Sequence, residues 1–101
     1  MDSSIPAMDD RAIIDAVSEE RLVQTALDVV GIPSPTGDEA AVAQAMVQQM
    51  RGLGLDATYQ PIGEQRGNAV GRLHGDGSGP SLLFYGHLDT VFAVWWTKTA
   101  P

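Results

Sequence analysis

The sequence has 101 residues, of which 44% are hydrophobic and 19% are charged, and it contains no cysteine. This composition is typical of a globular chain, and the lack of cysteine excludes disulfides and thiolate metal sites. Its 13 acidic and 6 basic residues give a net charge of −7, which argues against a nucleic-acid or anionic-membrane partner because no basic cluster is available to neutralise phosphates.

The first eight residues are mostly small and polar, and we expect residues 1–8 to form a loose leader. They contain neither a basic segment nor an apolar core, so a signal peptide is not predicted. No apolar run approaches the ~20 residues that cross a bilayer. We therefore expect a cytoplasmic protein with no membrane partner.

Two helices are predicted between Asp9 and Gly31. The first begins at Asp9, where an acidic residue suits the positive end of the helix dipole. Ser18 is a good N-cap for the second, which carries apolar residues at three- and four-residue spacing and ends at Gly31.

A segment with two prolines, residues 32–37, separates these helices from a third, and we call it the proline loop. Proline cannot continue a helix, so this loop is predicted to be rigid and extended. The run from Thr36 to Glu39 fits a capping box, in which the two side chains satisfy each other's backbone donors. The third helix is therefore predicted to start there and to end near Gly52, with its methionines in the core.

Strands are predicted after residue 54. Residues 55–60 alternate between apolar and polar, and Pro61 and Gly63 are expected to end that strand. A second short strand covers residues 68–73. The continuous apolar run at residues 81–86 is predicted to be a central strand covered on both faces. Helices that precede such a strand indicate a layered α/β fold, here with an incomplete sheet.

The segment Gly86–Val91 carries the residues best suited to chemistry. It follows the predicted central strand, and ligands of open α/β sheets bind beyond the carboxyl ends of strands. In an extended backbone His87 and Asp89 point the same way, so the carboxylate can accept a hydrogen bond from one ring nitrogen and leave the other for a metal. On spacing alone a structural hydrogen bond is the commoner explanation, and one histidine does not complete a catalytic zinc site, which needs about three protein ligands.

Three segments of the chain, in this order, resemble the zinc aminoacylase, acetylornithine deacetylase and glutamate carboxypeptidase family, which is metallopeptidase family twenty. They are Gly31–Glu39, Gly67–Arg72 and Leu82–Val91, and the last is the most specific. The resemblance implies that residues 9–92 are the N-terminal part of the family's α/β zinc-hydrolase catalytic domain. It further implies that His87 is the first zinc ligand and that Asp89 is the catalytic-site carboxylate that orients it.

Members of that family hold a pair of zinc ions and hydrolyse an amide or peptide bond of an N-acyl amino acid or small peptide, often as homodimers. The resemblance places their other ligands and general base further along the chain, so we expect this polypeptide to be inactive alone. Residues 93–101 do not match the family and hold both tryptophans and the only lysine. This shift in composition indicates a frameshift, a truncated gene or a sequencing end, and a short natural tail is the alternative.

Two other functions compete with a hydrolase fragment. The first is a non-catalytic α/β module that binds a protein partner through an exposed strand edge. The second is an unrelated α/β domain with a chance match. His74, in a glycine-rich turn, is interpreted as a solvated loop residue.

Overall fold

The structure is a computed structural model that describes residues 9–91, so the predicted leader (1–8) and tail (93–101) lie outside the described residues. Three helices precede an antiparallel hairpin. In chain order the elements are Asp10–Ala16 (α1), Glu19–Val30 (α2), Ala40–Gly52 (α3), Asp56–Gly63 (β1) and Arg66–Arg72 (β2). Over the described range, no helix combines the length and apolar character needed to cross a membrane.

The first two helices begin where the local signals predict, and the second also ends where they predict. The Asp9 carboxylate accepts a hydrogen bond from the N–H of Arg11 at 3.0 Å, and Ser18 Oγ accepts from the N–H of Arg21 at 3.2 Å. Gly31 ends α2, with its N–H donating to the Leu27 carbonyl at 3.1 Å. These contacts satisfy backbone groups that a helix end leaves free, so sequence alone predicts them.

The predicted capping box at the start of α3 is wrong. The helix begins at Ala40, its N-cap is Glu39, and no side chain caps it. The two side chains of the expected box instead make distant contacts, Thr36 with Asp89 and Glu39 with Arg66. Glu39 keeps one local contact, with the N–H of Gly37, but Thr36 and Glu39 do not bond to each other's backbone as a capping box requires.

The buried core lies where α3 packs on the hairpin. Its apolar members in the described region are Val42, Ala43, Val47 and Ala57. Ala57 is buried and Tyr59 half-buried, as the alternating pattern predicts. The strand β1 continues beyond Pro61, contrary to prediction, because the pairing with β2 becomes irregular between Pro61 and Gly63 and tolerates the missing N–H.

The predicted central strand at 81–86 is wrong for the described part of the chain. Its apolar side chains are 79–93% exposed, at Leu82, Leu83, Phe84 and Tyr85. A strand needs a neighbour to pair with, and the sheet of residues 9–91 consists of β1 and β2 alone. The observed architecture, helices with a two-stranded antiparallel sheet, is compatible with an α/β class. The layered zinc-hydrolase domain stays a prediction.

Candidate metal centre

His87 and Asp89 contact each other in the extended segment that follows the hairpin. The Nδ1 atom of His87 lies 3.0 Å from Asp89 Oδ1 and 2.9 Å from the Asp89 carbonyl oxygen. Both oxygens can only accept, since the carboxylate is ionised, so Nδ1 carries the hydrogen. With Nδ1 as the donor, the neutral form of the ring presents the lone pair of Nε2, and the His87 side chain is 82% exposed.

The Asp89 carboxylate is held from its other side by Thr36. The Thr36 hydroxyl donates to Asp89 Oδ2 at 2.5 Å, so each carboxylate oxygen has a donor of its own. The hydrogen bond from Thr36 is the main cause that lowers the pKa of Asp89, with burial opposing it and His87 adding to it. The carboxylate therefore stays ionised and available to the imidazole at neutral pH.

Ser34 fastens this segment to the proline loop. The N–H of Thr90 donates to the Ser34 carbonyl at 2.7 Å, and Pro35 and Thr90 form an isolated parallel bridge. The Ser34 hydroxyl donates to the Leu88 carbonyl at 3.0 Å and lies 3.1 Å from the Thr90 hydroxyl. Ser34 is 1% exposed, so these hydrogen bonds satisfy polar atoms that water does not reach.

The proline loop is in turn tied to the hairpin. Glu39 accepts two hydrogen bonds from Arg66, each at 2.9 Å, and one from the N–H of Gly37 at 3.0 Å. The hydrogen bond from Arg66 is the main cause that lowers the pKa of Glu39, and the same contact raises the pKa of Arg66. The N–H of Ala40 donates to the Gln65 carbonyl at 3.0 Å beside it.

The structure therefore brings together the two predicted site residues, His87 and Asp89, and keeps His74 apart. His74 lies at the other end of the hairpin, with Nε2 3.4 Å from Asp56 Oδ2. In the part of the chain that the structure describes, no three histidine or acidic side chains come close enough to hold a metal ion. One imidazole that is hydrogen-bonded to a carboxylate can supply one of the ligands of a zinc site, and we call this pair of residues, His87 and Asp89, the corner of the site.

Sequence reasoning missed Ser34, Thr36, Glu39 and Arg66 as supports of this corner. The sequence pattern indicates helix capping for Thr36 and Glu39 and a rigid, extended loop for Ser34, with no role at the site. A signal was present, because the proline loop lies within Gly31–Glu39, one of the three segments that carry the family resemblance. Polar side chains in a rigid, extended loop can serve as fixed hydrogen-bond partners for another segment.

Comparison with known proteins gives matches to parts of hydrolases. The chain is 35% identical over 75 residues to a protein of Thermococcus kodakarensis assigned as a LysW-lysine/LysW-ornithine hydrolase, covering 74% of this chain and 20% of the relative. It is 39% identical over 69 residues to a succinyl-diaminopimelate desuccinylase of Gluconacetobacter diazotrophicus, covering 65% and 17%. A Pyrococcus furiosus protein with the same assignment as the first is 32% identical over 75 residues, covering 74% and 21%.

The chain is a distant partial homologue of these hydrolases. It spans about a fifth of the length of the curated relatives it matches. No protein-family model matches it, and no solved structure gives a significant match. The similarity supports the hydrolase prediction at the level of class.

Proposed function

We propose that this chain forms part of a metal-dependent amidohydrolase, in which His87 is a zinc ligand and Asp89 orients it. The substrate class is an N-acyl amino acid or a small peptide. Two of the partial homologues named above are assigned as hydrolases of LysW-lysine or LysW-ornithine, and one is named for removing a succinyl group from diaminopimelate. A desuccinylase and an amide hydrolase share the attack of water on an acyl carbon.

The observation that carries this proposal is the hydrogen bond from His87 Nδ1 to Asp89 at 3.0 Å. It leaves Nε2 as a free lone pair on an exposed ring, and a carboxylate behind the ring makes that nitrogen a stronger ligand. When bound, zinc supplies a water acidified to a pKa near neutrality and polarises the substrate carbonyl. The residues of this chain hold one ligand in its binding tautomer and keep its partner carboxylate ionised.

We also propose that the 101-residue polypeptide alone has no hydrolase activity. A catalytic zinc site needs about three protein ligands, and the described residues bring one imidazole to this corner. The other ligands of a working site would come from polypeptide outside residues 9–91. Binding by one ligand is weak because the metal keeps most of its water and gains little from the protein.

Zinc titration of the purified chain tests this proposal, with His87→Ala as the test variant and His74→Ala as the matched control. We expect a Kd weaker than about 1 μM, lost in His87→Ala and kept in His74→Ala. No release of succinate from an N-succinyl amino acid is expected. Tight sub-micromolar binding that depends on His87 would contradict the single-ligand site, and equal binding by both variants would remove His87 from it.

A second function, a non-catalytic module that binds a protein partner, is favoured by the exposed segment at 81–86. Four consecutive apolar side chains there are at least 79% exposed, and this segment, which belongs to neither strand of the described region, can add to the sheet of a partner. Amide hydrogen exchange of the protein purified from its native source, with any bound partner retained, separates the hydrolase proposal from the binding-module proposal. Protection at residues 82–85, without any zinc-dependent change at His87, would favour the binding module.

A further inference from the structure

The Asp89 carboxylate is the middle member of a hydrogen-bonded chain of three residues, Thr36, Asp89 and His87, which we call the relay. Its Oδ1 accepts from His87 Nδ1 at 3.0 Å and its Oδ2 accepts from Thr36 Oγ1 at 2.5 Å. Thr36 precedes Asp89 by 53 residues, so the chain must fold to make this contact. The imidazole thus depends on a carboxylate that is itself held by a hydroxyl.

We propose that Thr36 is a positioning residue for His87, acting through Asp89. The end of an aspartate side chain turns in a broad, roughly two-fold potential, so a carboxylate with one partner is free to rotate. A second donor on Oδ2 stops that rotation and keeps Oδ1 facing the ring. His87 Nδ1 also lies 2.9 Å from the Asp89 carbonyl, but this neutral acceptor is weaker than the carboxylate, so without the carboxylate the Nδ1–H form of the exposed ring is less strongly favoured over the Nε2–H form.

The local backbone fixes the position of the Thr36 hydroxyl. Thr36 lies in a turn closed by the Asp38 N–H and the Pro35 carbonyl at 2.9 Å. Gly37 has a φ of +99°, which a turn of this kind requires after the residue that presents its side chain. Pro35, which precedes Thr36, has a φ restricted by its ring and pairs with Thr90, which follows Asp89. The backbone on which Thr36 lies is therefore bonded directly to the backbone on which Asp89 lies.

The role differs from that of Ser34, which fastens the backbone of the same segment. Ser34 contacts the Leu88 carbonyl and the Thr90 hydroxyl, while Thr36 contacts the functional carboxylate. Loss of Thr36 should therefore change the state of the His87 ring and leave the fold intact. A merely structural hydrogen bond would leave the ring unchanged.

The experiment uses the full chain with Thr36→Val, which keeps the shape and removes the donor, and Thr36→Ser, which restores a hydroxyl. Thr58→Val, an exposed threonine on β1, is the control for the substitution itself. Long-range proton–nitrogen NMR at a pH where imidazole is neutral reports the tautomer of His87, with His74 as internal reference. We expect the Nδ1–H form of His87 to dominate in the parent chain, to give way to a mixture in Thr36→Val and to return in Thr36→Ser.

Zinc titration of the same variants gives a second readout, and it rests on the proposed function. Thr36→Val is expected to weaken zinc binding by up to about tenfold, the lower end of the effect found for direct partners of metal-ligating histidines, because Thr36 acts through such a partner; Thr36→Ser should restore the affinity. If the parent chain binds zinc through His87 but Thr36→Val leaves both affinity and tautomer unchanged, the positioning role is wrong and the proposed function stands. If no variant binds zinc through His87, the proposed function fails, and the tautomer measurement alone decides the role of Thr36.

Discussion

The guanidinium of Arg66 donates two hydrogen bonds to the carboxylate of Glu39, from Nε to Oε1 and from Nη2 to Oε2, each at 2.9 Å. This bidentate ion pair joins the hairpin to the start of α3, and Glu39 is 7% exposed. Since the N–H of Gly37 also donates to Oε1, the same carboxylate holds the end of the proline loop. The framework that carries Thr36 therefore depends on this ion pair.

Replacing Glu39 with glutamine should remove a pH-dependent part of the stability. The contact with Arg66 lowers the pKa of Glu39 in the folded state, so its contribution is present above the pKa of the unfolded chain and is lost as the pH falls through the folded value. In urea unfolding, Glu39→Gln should be less stable than the parent near neutral pH, and the gap should close on acidification. Glu64→Gln, at an exposed position of the hairpin tip, is the control. A gap that does not change with pH would contradict the assignment.

A methyl group at Gly67 should destabilise the hairpin. Gly67 is buried, and a Cβ there would overlap the ring of Tyr59, which lies on the same face of the neighbouring strand. We expect Gly67→Ala to lower the free energy of unfolding by about 1–3 kcal/mol, the usual effect of overpacking. Gly52→Ala, where a Cβ meets nothing within 4 Å, should not lower it.

A double-mutant cycle shows whether the Tyr59 ring is the cause. In a Tyr59→Ala background the added methyl group has room, so the cost of Gly67→Ala should shrink toward zero. If Gly67→Ala lowers the free energy of unfolding equally with tyrosine and with alanine at position 59, the destabilisation comes from the backbone and not from the Tyr59 ring. Urea unfolding of the four proteins measures the coupling.

Local signals were enough to predict part of this fold. Asp9 and Ser18 cap their helices through backbone groups two and three residues away, and the alternation around Ala57 follows from the pleat of a strand. The contact between His87 and Asp89 also spans only two residues, so an extended backbone sufficed to predict it. In each case the partners are close in sequence.

Contacts between distant segments could not be predicted in the same way. Thr36 and Glu39 satisfy a capping pattern, but Thr36 donates to Asp89, 53 positions away, and Glu39 accepts from Arg66, 27 positions away, in addition to the N–H of Gly37. The apolar run at 81–86 indicates only that burial is favourable, and no sequence pattern states whether a neighbouring strand is available. In the described region that neighbour is missing, and the side chains remain exposed.

The exposed segment should make the isolated chain self-associate. Leu83, Phe84 and Tyr85 lie next to one another in the chain, and all three are at least 85% exposed. Two copies can pair their free backbone groups and cover these side chains, which removes apolar surface from water. Sedimentation velocity should therefore show a mean mass that rises with concentration.

A charge within the segment should reverse that association. A lysine on an unpaired strand opposes pairing because it must stay hydrated and repels its copy, so Leu83→Lys should sediment as a monomer over the same range. Ile62→Lys adds the same charge at a 57% exposed site on β1, which already pairs with β2, and should behave as the parent does. A parent chain that is monomeric and melts cooperatively would show that the segment is covered in solution. Association lost equally in both variants would contradict the role of the segment, because each lysine lowers the net negative charge of −7 by the same amount, which weakens repulsion between copies and cannot itself prevent association.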